Sequence, residues 1–492
     1  MKILFLQPPV GNRMKIFSSD LDKSHLDVTS KYLFPPLGLL YILSYLKKHN
    51  PDNDLYFLDC VAEKINHDQL FTRIQEIQPD LAAITSYTPT LYDTLLAVRS
   101  IKAVNPDTHI CVGGHHASSF PEETLSLKGV DSIIVGDGEE VFSQLVRALQ
   151  SNKKIDHITG IYTSKNINSF TRSLKPDKRV LYRQTMPFGY VQDLDELPFP
   201  DRSYIRHLKY FSLGCVTDNP ASLISTRGCN NKCSFCNSPY KTIRIRSPRN
   251  VVREIEDCLS LGYKEIHFFD DFFNINPQRV INICDEIDKA GLDIPWSFRG
   301  YVKTVTEESL ARARQSGCRL ISFGVETGSD KGLKRIRKGT TTHSIRKAFN
   351  TCKKAGIKTI ANFMIGLPHE ETPDDIKRNI DFLIELNPDY VVIEILRLFP
   401  HTAVYNEALS KGIVDADRFQ SFLSEPTPDF TIDHWEEFFS SRQLVDFQKM
   451  AYRKFYFRPS YVIQNVRNTN SLFEFRNKLY GLAGLVRKSF SI

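Results

Sequence analysis

Three cysteines crowd into eight residues of the chain: Cys229, Cys233 and Cys236 in RGCNNKCSFC, spaced C-x3-C-x2-C. Three thiolates in one short loop can wrap a single metal centre. A structural zinc site wants four ligands, and no fourth Cys or His lies nearby in sequence. A cubane iron–sulfur (4Fe-4S) cluster held by three cysteines leaves one iron open, which is what a reactive cluster needs. Zinc and a chance grouping are the other readings of the triad.

The elements that must hold this loop alternate in type from Ala221 to about Pro400. Strands read LISTRG (223–228), EIHFFDD (265–271), PWSFRGY (295–301), RLISFGVET (319–327), TIANFMIGL (359–367) and YVVIEILRLF (390–399). Helical runs lie between them, several opening after Ser/Thr–Pro pairs such as Ser247–Pro248 and Thr372–Pro373. Six successive βα units predict an open, partial barrel of the TIM type, its site at the C-terminal ends of the strands. The triad follows the first strand directly. Barrel strands buried on both faces should read as continuous apolar runs. Here one parity is polar instead. Ile266 and Phe268 alternate with His267, Phe269 and Asp271, and Trp296 and Phe298 alternate with Ser297, Arg299 and Tyr301. Ile321, Phe323 and Val325 alternate with Ser322, Gly324 and Glu326. Period-two geometry sends each polar set to one face. Three such faces predict a polar cavity suited to a charged ligand, since an empty polar interior is unfavourable. Within it, His267 reads equally as a satisfied core histidine, and Arg299 as a ligand contact or a structural ion pair. Asp271 rather than Asp270 has the inward parity.

Residues 1–150 alternate ILFLQ (3–7), LYFLD (55–59), LAAITS (81–86), HICVG (109–113) and DSIIVG (131–136) with amphipathic helical runs. This pattern predicts a doubly wound parallel sheet, whose ligands sit outside the carboxyl ends of the strands. The strand-end loops are PPLG (35–38), TSYTPT (85–90), VGGHHAS (112–118) and VGDGEE (135–140). Glycines there would let a flat ligand approach the backbone. Residues 151–215 read as a connector with some β structure, 216–400 as the barrel, and 401–492 as a helical, aromatic-rich region.

The triad on the loop after strand one of a six-unit barrel, with Phe235 as the aromatic residue inside the motif, resembles the radical S-adenosylmethionine (SAM) superfamily. The four N-terminal strand-end loops ahead of it make residues 1–400 similar to the cobalamin-binding members, and YRKFYFRPSYVIQNV within the tail is similar to some of them too. The resemblance implies an α/β fold: a Rossmann-like cobalamin-type domain, a partial (β/α)6 barrel and a helical C-terminal region. It implies a 4Fe-4S cluster on Cys229, Cys233 and Cys236 whose open iron is chelated by SAM, which is cleaved to a 5′-deoxyadenosyl radical. SAM contacts are implied for Phe235, Asp270 and Asp271 (amino group), Arg299, Glu326 (ribose) and Gly366 (adenine). Cobalamin contacts are implied for Thr85, Ser86, Gly113, Gly114, Gly136, Gly138 and Glu139. An electron donor such as flavodoxin or ferredoxin is implied as a partner. The D-x-H-x-x-G motif that supplies a histidine to cobalt is absent, as it generally is in this class, and His115 and His116 are not at that spacing. A domain that has lost cobalamin is the other reading.

The resemblance implies methylation of an unactivated carbon of a small molecule, through two SAM and methylcobalamin. The alternatives are oxidation, cyclisation or rearrangement, as in anaerobic porphyrin ring cyclases, and a cobalamin or iron–sulfur sensor module, which would need no SAM cavity. A second cysteine triad, which a methylthiotransferase would use, is missing. The 492 residues, 41% hydrophobic and 25% charged, indicate about three globular domains. There is no apolar run of membrane-spanning length and no cleavable signal in MKILFLQPPVGNR, so a cytoplasmic location is expected. The remaining seven cysteines read as small buried hydrophobes. From Ser441 onward ten Lys/Arg face two acids, so the tail carries +8 of the net +7 and residues 1–440 sum to about −1. A nucleic-acid-coating protein is excluded. The tail reads either as a helical cap with a solvated basic face or as a peripheral contact with an anionic membrane.

Overall fold

The computed structural model describes residues 1–17, 21, 33–167, 189–212, 214–238 and 240–467. They form two compact units: Met1–Lys15, Pro35–Lys209 and Asp415–Thr431 in the first, and Ile16–Phe34, Tyr210–Val414 and the chain from Ile432 in the second.

The first unit is built on six strands: β1 (Lys2–Gln7), β2 (Asp54–Asp59), β3 (Leu81–Thr85), β4 (His109–Gly113), β5 (Ser132–Ile134) and β6 (Ile161–Tyr162). Their order is β2-β1-β3-β4-β5-β6, parallel except for β6. Alternate residues of the same strands feed two cores. Ile3, Phe5, Leu81, Ala83 and Cys111 meet the helices Leu37–His49 and Glu139–Gln150, whereas Leu4, Leu6, Ala82, Ile84, Ile110 and Val112 meet His67–Ile77 and Leu91–Val104. Both faces are therefore apolar, which is why the strands read as unbroken hydrophobic runs.

The second unit continues with β7 (Pro220–Leu223), β8 (Thr226–Arg227), β9 (Arg244–Ile245), β10 (Glu265–Phe268), β11 (Trp296–Gly300), β12 (Cys318–Glu326), β13 (Lys358–Ile365) and β14 (Tyr390–Ile395). Six of these form one parallel sheet in sequential order, with β7 and β14 as its edges. This is the open partial barrel that the alternation predicts. Its apolar parity (Ile266, Phe268, Trp296, Phe298, Ile321, Phe323, Val325, Ala361) packs under the surrounding helices. Those helices start at sharp signals: Ser247, Asn276, Thr306, Thr341 and Thr372 each cap a first turn with a side-chain oxygen.

The expected first barrel strand, 223–228, is corrected: the paired strand is Pro220–Leu223, and Thr226–Arg227 form a two-stranded ribbon with Arg244–Ile245. The amides of Ser225 and Thr226 donate to the Asp270 carboxylate, which pulls the chain out of the sheet. The last strand stops at Ile395 rather than at 399.

The helix Ser441–Tyr456, which a shorter one at Pro459–Arg467 follows, lies against β14. The Val391 and Ile393 amides donate to the Tyr456 and Tyr452 hydroxyls at 3.1 and 2.9 Å, and Gln448 Nε2 donates to the Ile393 carbonyl at 2.7 Å. Side chains thus satisfy an edge strand whose backbone groups would otherwise await another strand. The tail aromatics Phe447, Tyr452, Phe455, Tyr456 and Tyr461 belong to this cap. Arg476, Lys478, Arg487 and Lys488 lie outside the described residues, as does the Arg467 side chain. Among the described residues, no helix is long and apolar enough to cross a membrane.

Candidate functional site

The polar parity of β10–β12 lines a cavity of about 610 Å³ in the second unit. His267, Phe269, Asp271, Ser297, Arg299, Tyr301, Ser322, Gly324 and Glu326 all face it, and Asn362 of β13 joins them. Cys229, Cys233, Cys236 and Phe235 line its rim. The β8–β9 ribbon closes the loop that carries them. Gly228 (φ +90°) makes the turn into that loop, where a Cβ would meet the Thr242 carbonyl at 2.3 Å. The Cys229 amide donates to Tyr240 O, and the Asn231 amide nitrogen and the Ser238 N–H donate to the sulfurs of Cys229 and Cys236 at 3.4 Å.

All three thiols are free, Cys229 and Cys233 half-buried and Cys236 exposed. Three thiols in one short loop, with no fourth cysteine or histidine near them in sequence, fit a cluster better than zinc. Burial pushes the Cys233 thiol up to about 11 against the pull of the Lys338 ammonium.

Lys338 is the residue that the sequence reading missed. Its side chain is 12% exposed, its Nζ lies 2.6 Å from Glu326 Oε1, and it sits 5.9 Å over the Phe235 ring. Burial works against its charge, but Glu326 and Cys233 outweigh burial and hold the ammonium above its usual range. Gly324 makes room for the pair: a Cβ there would approach Glu326 Oε1 and Lys338 Nζ to 2.5 and 2.6 Å. Nothing in KRIRKGT marks Lys338 locally, because its role depends on a strand twelve residues upstream.

Glu326 itself stands in the left-handed region (φ +66°), a conformation that side chains rarely adopt unless the surroundings impose it. A buried chain of hydrogen bonds does so. Thr327 Oγ1 donates to Asn379 Oδ1 at 3.0 Å and lies 3.2 Å from His369 Nε2, and Asn379 Nδ2 donates to Glu370 Oε1 at 2.6 Å. Glu370 Oε2 accepts from the Gly366 and Leu367 amides at 2.7 and 2.9 Å. The ends of β12 and β13 are tied together through one carboxylate. Burial raises Glu370 to about 7 despite these donors. Gly366 (φ +79°) lies outside the cavity lining, where a Cβ would press on Leu444 at 3.1 Å.

The two adjacent aspartates separate as their parity demands. Asp271 is exposed to the cavity. Asp270 is fully buried, accepting from Ser225 N (2.6 Å), Ser225 Oγ and Thr226 N (3.1 Å), and burial raises it to about 6. The expected ligand contact by Asp270 is therefore corrected: it holds the cysteine loop's approach. Arg299 is exposed in the cavity with its guanidinium 4.1 Å over the Phe269 ring. His267 is buried, bonded to Ser297 Oγ and 3.3 Å from Cys215 Sγ. Burial opposes its charge, but Cys215 and Glu265 raise it to about 9. Cys215 is buried as expected, like the other six of the remaining cysteines, but it meets polar partners where those six join the hydrophobic cores.

In the first unit the implied cobalamin residues gather at the carboxyl edge of the sheet. Thr85 ends β3, Ser86 is fully buried with its hydroxyl 3.1 Å from Thr94 Oγ1, and Gly113 ends β4. Two glycines serve the chain rather than a ligand. A Cβ on Gly114 (φ +94°) would meet Thr85 Oγ1 at 2.8 Å, and one on Gly138 would meet Ile42 at 2.6 Å. Gly113 differs, because its Cβ would find no chain atom closer than 4.0 Å, leaving backbone open to a flat group. Gly136 (φ +96°) pairs with Gly189, and Glu139 is buried at the start of its helix rather than standing in an exposed loop. His115 and His116 begin a short helix instead of lying in a loop. His116 is fully buried, 3.0 Å from Thr88 Oγ1 through Nδ1, and burial presses it down to about 3.

The Radical SAM superfamily profile matches residues 223–383, and the B12 binding domain profile matches residues 25–146. The chain is a radical SAM protein with a B12-binding domain. The cofactors of these two domains are a 4Fe-4S cluster with SAM, and cobalamin. An uncharacterised methyltransferase of Pyrococcus horikoshii is 29% identical over 95% of each chain. An anaerobic magnesium-protoporphyrin IX monomethyl ester cyclase of Rubrivivax gelatinosus is 26% identical over 87% of this chain and 75% of its own. The fold is shared with the cobalamin-dependent SAM radical enzyme OxsB, at TM-score 0.67 and 18% identity, over 99% of this chain and 71% of that one.

Proposed function

We propose that the protein methylates an unactivated carbon of a small molecule. The observation that carries this reading is the lumen of β10–β12, with Asp271, Arg299 and Glu326 in its lining, opening on a three-cysteine loop, in a chain that also has a B12-binding domain. When bound, the cluster and SAM supply the one-electron chemistry that breaks a C–H bond, and cobalamin supplies the methyl group. The chain's own work is to hold these groups and exclude water. Cys229, Cys233 and Cys236 hold the cluster, and Phe235 packs beside them. Asp271 and Arg299 offer a carboxylate and a guanidinium to the amino and carboxylate groups of SAM, and Glu326 offers an acceptor to its ribose hydroxyls. Lys338 neutralises Glu326 and faces Cys233, which limits the unpaired charge beside the loop. Gly113, Thr85 and their neighbouring strand ends offer an edge for the corrin.

A flavodoxin or ferredoxin supplies the electron in this scheme, and the site of action is the cytoplasm. The described part of the basic tail, from Ser441 to Tyr461, serves as the barrel's cap, and a contact with anionic membranes is the tail's further assignment, testable by salt-sensitive liposome flotation.

The similarity to a ring cyclase favours one second reading, oxidative cyclisation with the same cofactors. Product analysis separates the two. With methyl-deuterated SAM, extracts of the source cell as substrate pool and reconstituted enzyme, methyl transfer gives a product carrying the labelled methyl group. It also yields S-adenosylhomocysteine together with 5′-deoxyadenosine. A product that loses hydrogen and carries no label, with deoxyadenosine alone, assigns the cyclase chemistry.

A further inference from the structure

The cysteine loop follows the carboxyl end of β7, but a second group of ligand-type side chains sits at the other end of the same sheet. Glu265 is the first residue of β10 and pairs with Pro220, the first of β7, while Cys215 precedes β7 on the incoming chain. His267 shares the inward parity of Glu265. We propose that Cys215, Glu265 and His267 form a binding site for a divalent metal ion of the zinc class, with one coordination position open to the barrel lumen.

Geometry is the first argument. One ligand atom from each residue lies within 4.8 Å of the other two. His267 Nε2 is 3.3 Å from Cys215 Sγ and 3.4 Å from Glu265 Oε1. Ligands around a tetrahedral zinc ion, bound at about 2.0–2.3 Å, stand roughly 3.3–3.7 Å apart.

The second argument is the support behind each ligand. Metal-binding histidines and carboxylates are held by hydrogen bonds on the atoms that face away from the ion. Here Ser297 Oγ holds His267 Nδ1. Glu265 Oε2 accepts from Val216 N (2.9 Å), Thr217 N (2.9 Å) and Thr217 Oγ1 (3.1 Å), leaving Oε1 turned towards the histidine. Cys215 Sγ accepts from the Ser212 amide at 3.2 Å. All three bonded sets belong to the strand starts and the incoming loop, so they fix orientation without filling the space between the ligands.

Charge and access complete the case. The three side chains are buried, at 8%, 3% and 6% exposure for Cys215, Glu265 and His267. A thiolate and a carboxylate balance a divalent ion with the imidazole neutral, so the loaded site carries no net charge, and the thiol proton and any imidazole proton leave to solvent on binding. Mixed sulfur, nitrogen and oxygen donors suit zinc, and three protein ligands are the number that zinc sites with an exchangeable fourth position use. The site borders the lumen, because His267, Ser297 and Ser212 line the cavity while Cys215 and Glu265 stand behind them. Its fourth position would take an oxygen atom, from water or from a substrate hydroxyl or carboxylate, at the end of the cavity away from the cysteine loop.

The test is metal content of the full chain with its cluster already reconstituted, incubated with zinc chloride and desalted. The expected result is one zinc beside about four irons. Cys215→Ser and His267→Gln should keep the irons and lose the zinc. Cobalt(II) in place of zinc should give thiolate-to-cobalt charge-transfer absorption in the wild type and none in Cys215→Ser. Zinc retained equally by both variants, or a cobalt(II) spectrum in the wild type without the thiolate band, overturns the site. The wild-type spectrum decides even where a variant fails to fold. None of these readouts depends on methyl transfer.

Discussion

The two six-stranded sheets of this protein share an element alternation and differ in what their inner residues do. In the first, both parities of β1, β3 and β4 enter apolar cores. In the second, one parity of β10, β11 and β12 packs beneath helices and the other, which carries most of the polar side chains, lines an open cavity that Leu320, Ile360 and Val392 also line. A sheet sealed on both faces leaves only its strand-end loops for a ligand, whereas an open barrel with a polar lumen can take one inside. The residues proposed for cofactor contact follow this division: Thr85 and Gly113 end strands of the first unit, whereas Asp271, Arg299 and Glu326 line the lumen of the second.

The largest expected effect tests the lumen. Cys233→Ala should abolish release of 5′-deoxyadenosine and reduce the iron content of reconstituted protein, with the far-ultraviolet circular dichroism unchanged. Continued SAM cleavage by this variant would remove the barrel from the chemistry.

Breaking the Glu326–Lys338 pair comes next. Lys338→Ala leaves a largely buried carboxylate without its partner and should lower stability by roughly 3–5 kcal/mol in denaturant titration. Glu326→Gln combined with Lys338→Met should recover most of this loss, because no charge is then left unpaired. Equal stability of Lys338→Ala and wild type would mean that water reaches the pair freely.

Glu370 makes the lumen unit pH-sensitive. Its folded carboxyl is raised from the usual 4.5 to about 7, so it favours the folded state most when protonated. Its contribution is fully present below about 4.5 and is lost as pH rises through about 7. The melting temperature of Glu370→Gln should therefore fall less over that interval than that of the wild type. At pH 8 the variant should be the more stable, provided that the Gly366 and Leu367 amides keep an acceptor. A parallel pH dependence in the two proteins would refute the assignment.

The smallest effect compares the sheets directly. Ile84→Val in the sealed sheet should cost about 1 kcal/mol, since a methylene is lost from a fully packed core. Ser322→Ala in the lumen should change stability by no more than about 0.5 kcal/mol, because Asn362 Nδ2 keeps its bond to the Phe323 carbonyl. The same substitution should change the apparent affinity for SAM or substrate. Equal losses of stability at both positions would erase the distinction between core and lumen.

Much of this division was legible in the amino-acid order. The runs ILFL, LAAI and ICV announce strands sealed on both faces, and the alternation in EIHFFDD, PWSFRGY and RLISFGVE announces a face that is not. Both follow from period-two geometry, which is local. The same rule separated Asp271 from Asp270, and the triad's spacing placed three thiols in one loop. What the sequence left undecided depends on contacts between residues far apart in the chain. Asp270 is withdrawn from the lumen by amides forty-five residues earlier, and Gly138 is required by Ile42 rather than by a ligand. Glu326 is held in a strained conformation through Thr327, Asn379 and Glu370, and it is neutralised by Lys338. Cys215 and His267, fifty-two residues apart, become neighbours only when the incoming loop folds beneath β10. Hydrogen bonds and ion pairs of this kind act over a few ångströms and carry no periodic signature, so they exist only once the sheet has closed around them.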